Sequence, residues 1–397
     1  CAVKSIKVVI AFIEEHLEAI IDFLRYNCKE KVATSNIQLT SALLNLITAK
    51  LSAEEDPKEV SRNLDALNAL LVWCFTWSIG ANIVDDSRPA FETEVLKRFS
   101  GACSKTGSYS LAVMDPYGCF IDFTENKAAQ WSAITPSFTY DPKQSYFSIL
   151  VPTNDTTRYR YIVDKLMNCG YNVLFMAETG VGKSVVINSF LNEMVATGKV
   201  ASYVMGYSAQ TKPANIRDVL ETKLEKKRKN LLGPPSGKKF FLFIDDLNMP
   251  ALETYGAQPP NELLRQIIDQ EGFYDVNKLF FKNVQDIVTV AACAPPGGGR
   301  NEVSPRLLRQ FSMIWLTNLS TDSMNKIFTS ILKGFIRSSI PEYSDIAEPL
   351  VKSSVHIYLR IQQELLPTPL KSHYTFNLRD LSKVFQGMLM VRPKHLE

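Results

Sequence analysis

No cysteine in these 397 residues stands at metal-ligand or redox spacing to another. The seven, Cys1, Cys28, Cys74, Cys103, Cys119, Cys169 and Cys293, form no C-x-x-C pair and no Cys/His cluster, and so read as reduced intracellular thiols. Charge of one sign is lacking too. Lysine and arginine number 44 against 41 acidic residues, a formal net charge of +3. That balance supports neither a nucleic-acid groove nor a polybasic membrane patch, and neither partner is expected. His356 and His373 stand alone, so nucleophilic or metal hydrolase chemistry has no support. Short-period repeats and low-complexity tracts are absent. A signal peptide is not expected, because the apolar run after Lys4 and Lys7 is broken by Glu14 and Glu15, and the ends at Cys1 and Glu397 read as cuts through a longer polypeptide. Residues 66–84 carry no charge, yet Asn68, Thr76, Ser78, Gly80 and Asn82 interrupt them. The strongly apolar part, 67–79, is shorter than a membrane span requires, so a buried helix is expected there.

What is present is the composition of an ordinary folded protein, 46% hydrophobic and 21% charged, long enough for more than one core. Apolar residues recur at helical spacing over 8–26, 39–51 and 63–79, with a polar loop at 52–57. Residues 1–99 therefore read as a helical unit and 100–150 as a connector. In the connector a hairpin is expected between 111–114 and 119–123, across the turn Asp115-Pro116-Tyr117-Gly118. From residue 151 apolar strands alternate with helices, the α/β signature of a mostly parallel sheet with flanking helices. Strands are expected at 173–176, 201–207, 240–244, 287–292 and 313–316. The body runs over 151–320, and 321–397 begins a helical lid. The run Glu225-Lys226-Lys227-Arg228-Lys229 is expected to be a solvated helical face.

Two sites carry chemistry. Ala177-Glu178-Thr179-Gly180-Val181-Gly182-Lys183-Ser184 lies between an apolar strand and a helical run. Such a loop wraps phosphates in backbone N–H groups, with Lys183 on the β and γ oxygens and Ser184 offering a hydroxyl to Mg²⁺. The usual first glycine is Ala177, tolerable if φ there stays negative. The second site is Phe240-Phe241-Leu242-Phe243-Ile244-Asp245-Asp246, a buried strand that delivers Asp245 to its carboxyl end for Mg²⁺ while Asp246 orients the attacking water. Glutamate is usual at the second position. Aspartate withdraws the carboxylate by ~1 Å, an error that can cost ~10²-fold in rate. Binding is thus the firmer expectation and turnover the weaker one.

With Asp245-Asp246-Leu247-Asn248-Met249-Pro250, Tyr255-Gly256-Ala257-Gln258-Pro259-Pro260, Ala291-Ala292-Cys293-Ala294-Pro295-Pro296-Gly297-Gly298-Gly299-Arg300-Asn301 and Phe376-Asn377-Leu378-Arg379-Asp380-Leu381, the sequence resembles dynein heavy chains. The likeness is to the third AAA+ module, with residues 1–99, through Trp77-Ser78-Ile79-Gly80, similar to the helical small subdomain of the module before it. The wording is closer to axonemal, inner-arm forms. The resemblance implies an α/β P-loop AAA+ body whose ATP or ADP, with Mg²⁺, regulates a microtubule motor ATPase of the cilium or flagellum axoneme. A structural ring module holding non-exchanging ADP is the alternative, and a kinase or transporter P-loop would leave the Asn248-Met249-Pro250 and Gly297–Gly299 segments without a role. It implies adenine near Val151, Pro152 and Thr153, phosphates on Gly180, Val181, Gly182, Lys183 and Ser184, and a second-sensor arginine at Arg379. Arg306 or Arg309 would be a finger acting on the preceding module's nucleotide. The first-sensor position is occupied by Ala294, which cannot hydrogen-bond, so hydrolysis is expected to be slow. Partners implied are neighbouring AAA+ modules of the same chain, and light chains, intermediate chains and microtubules through other regions.

Overall fold

The helical spacing of the opening residues becomes α1 (Ala2–Asn27), α2 (Asn36–Ser52), α3 (Leu64–Ser78) and α4 (Arg88–Arg98). They belong to a computed structural model that describes residues 2–52, 63–101, 108–110, 115–125, 127–235, 237–371 and 373–391. Asn63 starts α3, its side chain accepting from the Ala66 N–H at 3.1 Å. Having almost no polar face to turn outward, α3 is buried from Ala66 to Ser78 except at Asn68. The stretch Leu64–Asn82, α3 with the turn after it, has the length and apolar character of a membrane span, but it lies mostly buried as the core of this unit, packed among Phe12, Leu43, Phe91 and Phe99. The loop expected after Ser52 lies outside the described residues.

In the connector, the first arm of the expected hairpin, 111–114, lies outside the described residues, while its second arm, 119–123, contains a strand. That strand, β1 (Cys119–Asp122), pairs forward, antiparallel, with β2 (Lys127–Gln130). The Asp122 carboxylate accepts from the N–H groups of Thr124 at 2.9 Å and Glu125 at 3.2 Å, which bends the chain into that turn. The connector is bonded to α3. Trp73 Nε1 donates to Cys119 O at 3.0 Å, and the Tyr117 hydroxyl donates to Gly80 O at 2.9 Å.

The α/β body follows as α5 (Asn154–Asn168), β3 (Val173–Met176), α6 (Lys183–Ala196), β4 (Val200–Gly206), α7 (Pro213–Lys223), β5 (Glu225–Arg228), β6 (Leu231–Gly233), β7 (Lys239–Asp245), α8 (Pro259–Gln270), β8 (Gly272–Tyr274), β9 (Phe281–Val284), β10 (Ile287–Cys293), α9 (Pro305–Leu308) and β11 (Ser312–Trp315). The main sheet has the parallel order β11-β3-β10-β7-β4, built from the five strands read in the sequence. The inner strands β3 and β7 run apolar and buried because both their faces are covered, whereas the edge strand β4 carries Ser202 and is partly exposed. Val173, Phe175, Phe241 and Phe243 face a core continuous with the opening helices, while Leu174, Met176, Leu242 and Ile244 face a second core with Leu264 and Phe273. Side chains of the opening unit seal that junction. Gln38 Nε2 donates to Leu308 O, and Arg88 donates to Trp315 O, each at 2.8 Å.

The charged run at 225–229 is a correction. Leu224 turns into the core with extended backbone and ends α7, so Glu225–Arg228 form an exposed strand of a second sheet, β5-β6-β9-β8, rather than a helical face. The lid follows as α10 (Thr321–Ser339), α11 (Ala347–Glu364) and α12 (Leu378–Met388), with a core of its own in which Phe328 stacks on Phe385 at 4.3 Å.

Gly80 is where α3, α4 and the connector meet. An added Cβ there would overlap the Phe91 ring and the Tyr117 hydroxyl. Gly80→Ala is therefore expected to lower stability by about 1–3 kcal/mol, read as a lower urea midpoint with unchanged slope. An unaltered midpoint would contradict this packing.

Candidate functional site

Ligands of open parallel sheets bind beyond the carboxyl ends of the strands. Here the P-loop leaves β3 at that edge and α6 begins at Lys183. Positive φ in this loop falls on Gly180 (89°) and Gly182 (98°), a backbone that L side chains rarely adopt. Ala177 is not among the positive-φ residues, so the missing first glycine costs the loop no strain. Lys183 is buried, its Nζ donating to Ala177 O at 2.9 Å and Glu178 O at 3.0 Å. Burial pushes its pKa down and Arg300 adds to that, while Cys293, Asp245 and Asp246 oppose it.

Asp245 arrives from β7. Ser184 Oγ donates to Asp245 Oδ2 at 2.6 Å, so a hydroxyl and a carboxylate from opposite sides of β10 converge on one point. Two hard oxygen donors beside a phosphate loop fit Mg²⁺, which would be held by Ser184 and Asp245 and would supply charge neutralisation to a polyphosphate. Asp246 follows in the left-handed region (φ 56°), a conformation aspartate tolerates better than most residues.

Gly180, Val181, Gly182, Lys183, Ser184, Asp245, Asp246, Arg379 and Val151 line one cavity of about 400 Å³. Pro152 and Thr153 do not. Pro152 faces an adjacent groove of about 980 Å³, and Thr153 is buried as the cap of α5, its hydroxyl accepting from the Thr156 N–H at 3.2 Å. That capping turn carries the chain away after Val151. The larger groove, with Arg160, Asn188 and Glu193 on its wall, holds no phosphate loop. Sequence reading missed the apolar end of the smaller cavity, made by Ile149, Leu319, Ile327 and Ile331. It could have been found only by knowing that α10 folds over residues 146–151.

The lid touches the loop directly. A Cβ on Gly180 would lie 3.1 Å from the Asn377 side chain, and Asn377 caps α12, whose first turn carries Arg379. Tyr146 also ties the segment before α5 to the lid, its hydroxyl donating to Ser382 O at 2.8 Å. Lys183, Arg300, Arg379 and Lys383 outnumber Asp245 and Asp246 around the cavity, an excess of positive charge that suits a polyphosphate. Arg306 and Arg309 lie outside it on the exposed face beyond α8, paired loosely with Glu262 at 3.4 Å and Asp269 at 3.8 Å.

A buried amide network holds the facing loop. Asn248 Nδ2 donates to Ala294 O at 2.7 Å, Asn301 Nδ2 to Pro250 O at 2.8 Å, and the Asn301 N–H to Asn248 O at 3.0 Å. Asn261 Nδ2 reaches Leu247 O at 3.1 Å from α8. The Asn-Met-Pro segment thus fixes the loop from Ala294 to Asn301, and Ala294 is itself buried with no polar side-chain atom to offer.

At the end of β10, burial pushes the Cys293 thiol up to about 12. At pH 8 its thiolate fraction is negligible, so maleimide should leave Cys293 unmodified in the folded protein and modify it in urea, as read by peptide mapping. Rapid native labelling would mean that this strand end is open.

The description "P-loop containing dynein motor region" matches residues 138–319, "Dynein heavy chain AAA lid domain" residues 9–133, and "AAA+ lid domain" residues 350–396. Dynein axonemal heavy chain 6 of Homo sapiens is 40% identical over 384 residues, covering 96% of this chain and 9% of that protein. Dynein axonemal heavy chain 1 of Homo sapiens is 36% identical over 441 residues, covering 100% of this chain and 10% of that protein. Dynein axonemal heavy chain 2 of Mus musculus is 32% identical over 378 residues, covering 95% and 8% respectively. The chain spans about a tenth of the length of these relatives. With a P-loop body and both flanking helical regions matched, the chain belongs to the dynein heavy chain family.

Proposed function

We propose that this chain is an ATP-binding AAA+ module, the third of a dynein ring, preceded over residues 1–99 by the helical small subdomain of the second. The observation that carries the nucleotide reading is the cluster of Lys183, Ser184 and Asp245 on one cavity wall with lid Arg379 on the other. Loop amides and Lys183 hold the β- and γ-phosphates, Ser184 and Asp245 hold Mg²⁺, and the apolar end beside Val151 takes the base. Arg379 rides on the lid, so the γ-phosphate biases the angle between lid and body, and that angle is the signal passed to neighbouring modules. Arg306 or Arg309, exposed and weakly paired, serves as a finger for the preceding module's nucleotide.

Binding outlasts chemistry in this reading. Asp246 is short and Ala294 offers no hydrogen bond, so turnover is slow and the site regulates rather than drives motility along microtubules. The names of the relatives suggest the axoneme of a cilium or flagellum as its place. Contacts with microtubules and with light and intermediate chains belong to regions beyond these residues.

Lys183→Ala is expected to weaken Mg·ATP binding by about 10²-fold or more, measured by titration calorimetry; unchanged affinity would reject the site. Asp246→Glu restores the missing methylene and should raise phosphate release by about tenfold, bounded by the ~10²-fold attached to a 1 Å error. No rise would mean that Asp246 does not limit turnover. Bound ADP that survives extensive dialysis and never exchanges would favour the purely structural alternative.

A further inference from the structure

Arg300 reaches the cavity from the far end of the loop that begins at the apolar Ala294. Two backbone hydrogen bonds between Gly297 and Arg300, at 3.0 and 3.1 Å, close that turn. Gly297, Gly298 and Gly299 all have positive φ (120°, 58° and 86°), a path that side chains would strain. The result is a guanidinium on the wall that Lys183, Asp245 and Asp246 also line. Among the described residues it forms no side-chain hydrogen bond and no ion pair, and its Nε is buried without a partner. Arg300 is half-buried, yet its Nε donor is buried and unmade beside the buried Lys183, an unfavourable arrangement because that donor forfeits its hydration and the two cations repel. An anion in the cavity would offset both costs, and a planar fork of N–H donors is suited to phosphate oxygens.

We infer that Arg300 is a phosphate-binding residue for the terminal phosphate of a nucleoside triphosphate, supplying in cis the hydrogen bonds that Ala294 cannot. The inference rests on the nucleotide reading above and deepens it. Arg379 approaches with the lid, whereas Arg300 is fixed to the body. Asn301, its neighbour, is bonded to Pro250 and Asn248, so Arg300 keeps its place whatever the lid does. The terminal phosphate then has one cation that senses lid position and one that does not. It follows that Arg300 discriminates triphosphate from diphosphate.

The test is titration calorimetry of the 397-residue chain with Mg·ATPγS and with Mg·ADP, on wild type, Arg300→Gln, Arg300→Met and Lys183→Ala. Either Arg300 variant should lose about tenfold or more in ATPγS affinity while ADP affinity stays within about twofold. Having no partner to lose, the arginine should also leave the urea midpoint without nucleotide unlowered when replaced. A triphosphate-to-diphosphate ratio unchanged in a folded variant overturns the inference, as does an equal loss for both nucleotides or a lowered midpoint in both variants, either of which marks a structural role. Wild type that binds neither nucleotide sinks the site reading along with it. Loss of both nucleotides in Lys183→Ala alongside an unchanged ratio in Arg300→Gln sinks the Arg300 role alone.

Discussion

The hydrogen bond between Ser184 and Asp245 is the point on which the site depends, and the register of the parallel sheet makes it possible. Ala291 of β10 pairs with Leu174 of β3 on one side and Ile244 of β7 on the other. The P-loop and Asp245 therefore emerge level with each other, one strand apart. A slip of β7 by one residue would turn Asp245 toward a sheet face, because strand side chains alternate. The apolar faces forbid that slip, since Phe241 and Phe243 fill one core while Leu242 and Ile244 fill the other. Packing on both faces of the sheet thus positions the Ser184–Asp245 pair, the proposed metal site, at its edge.

The second constraint is the amide lattice under the opposite wall. Backbone carbonyls of Leu247, Pro250 and Ala294 sit in the interior, where an unpaired acceptor is costly. Asn248, Asn261, Gln258 and Asn301 satisfy them with side-chain amides. Side-chain bonds are used because the segment from Asp246 to Pro250 and the loop from Ala294 to Asn301 are neither helix nor strand. The motif that looks like a family signature in the sequence is, physically, the brace of the wall that carries Arg300.

Much of this was legible in the residues. Long apolar runs such as 240–244 declare themselves as covered strands, and the lysine of a phosphate loop after such a run is hard to mistake. What was not legible depends on tertiary partners. Strands of three or four residues, such as Leu231–Gly233 and Gly272–Tyr274, are too short to show a period, so the second sheet was missed and its edge at 225–228 read as helix. Pro152 and Thr153 sit beside Val151 in the chain but are taken off by a helix cap. Arg300 gives no local signal, because its significance lies in what it does not touch.

Under the proposed function, the chemistry at the Asp246 end of the cavity separates holding from hydrolysing. Charge is abundant in the cavity, while Asp246, the carboxylate proposed to position water, is short and held at positive φ. The proposed role is accordingly one of response to a bound nucleotide rather than of rapid turnover. The most direct check is a density map of the protein with Mg·ADP. The expected result is a diphosphate along Gly180 to Ser184, with the metal between Ser184 and Asp245 and the base against Val151 and Ile327. Nucleotide seated instead in the groove beside Arg160, or a phosphate loop left bare at saturating nucleotide, would contradict it.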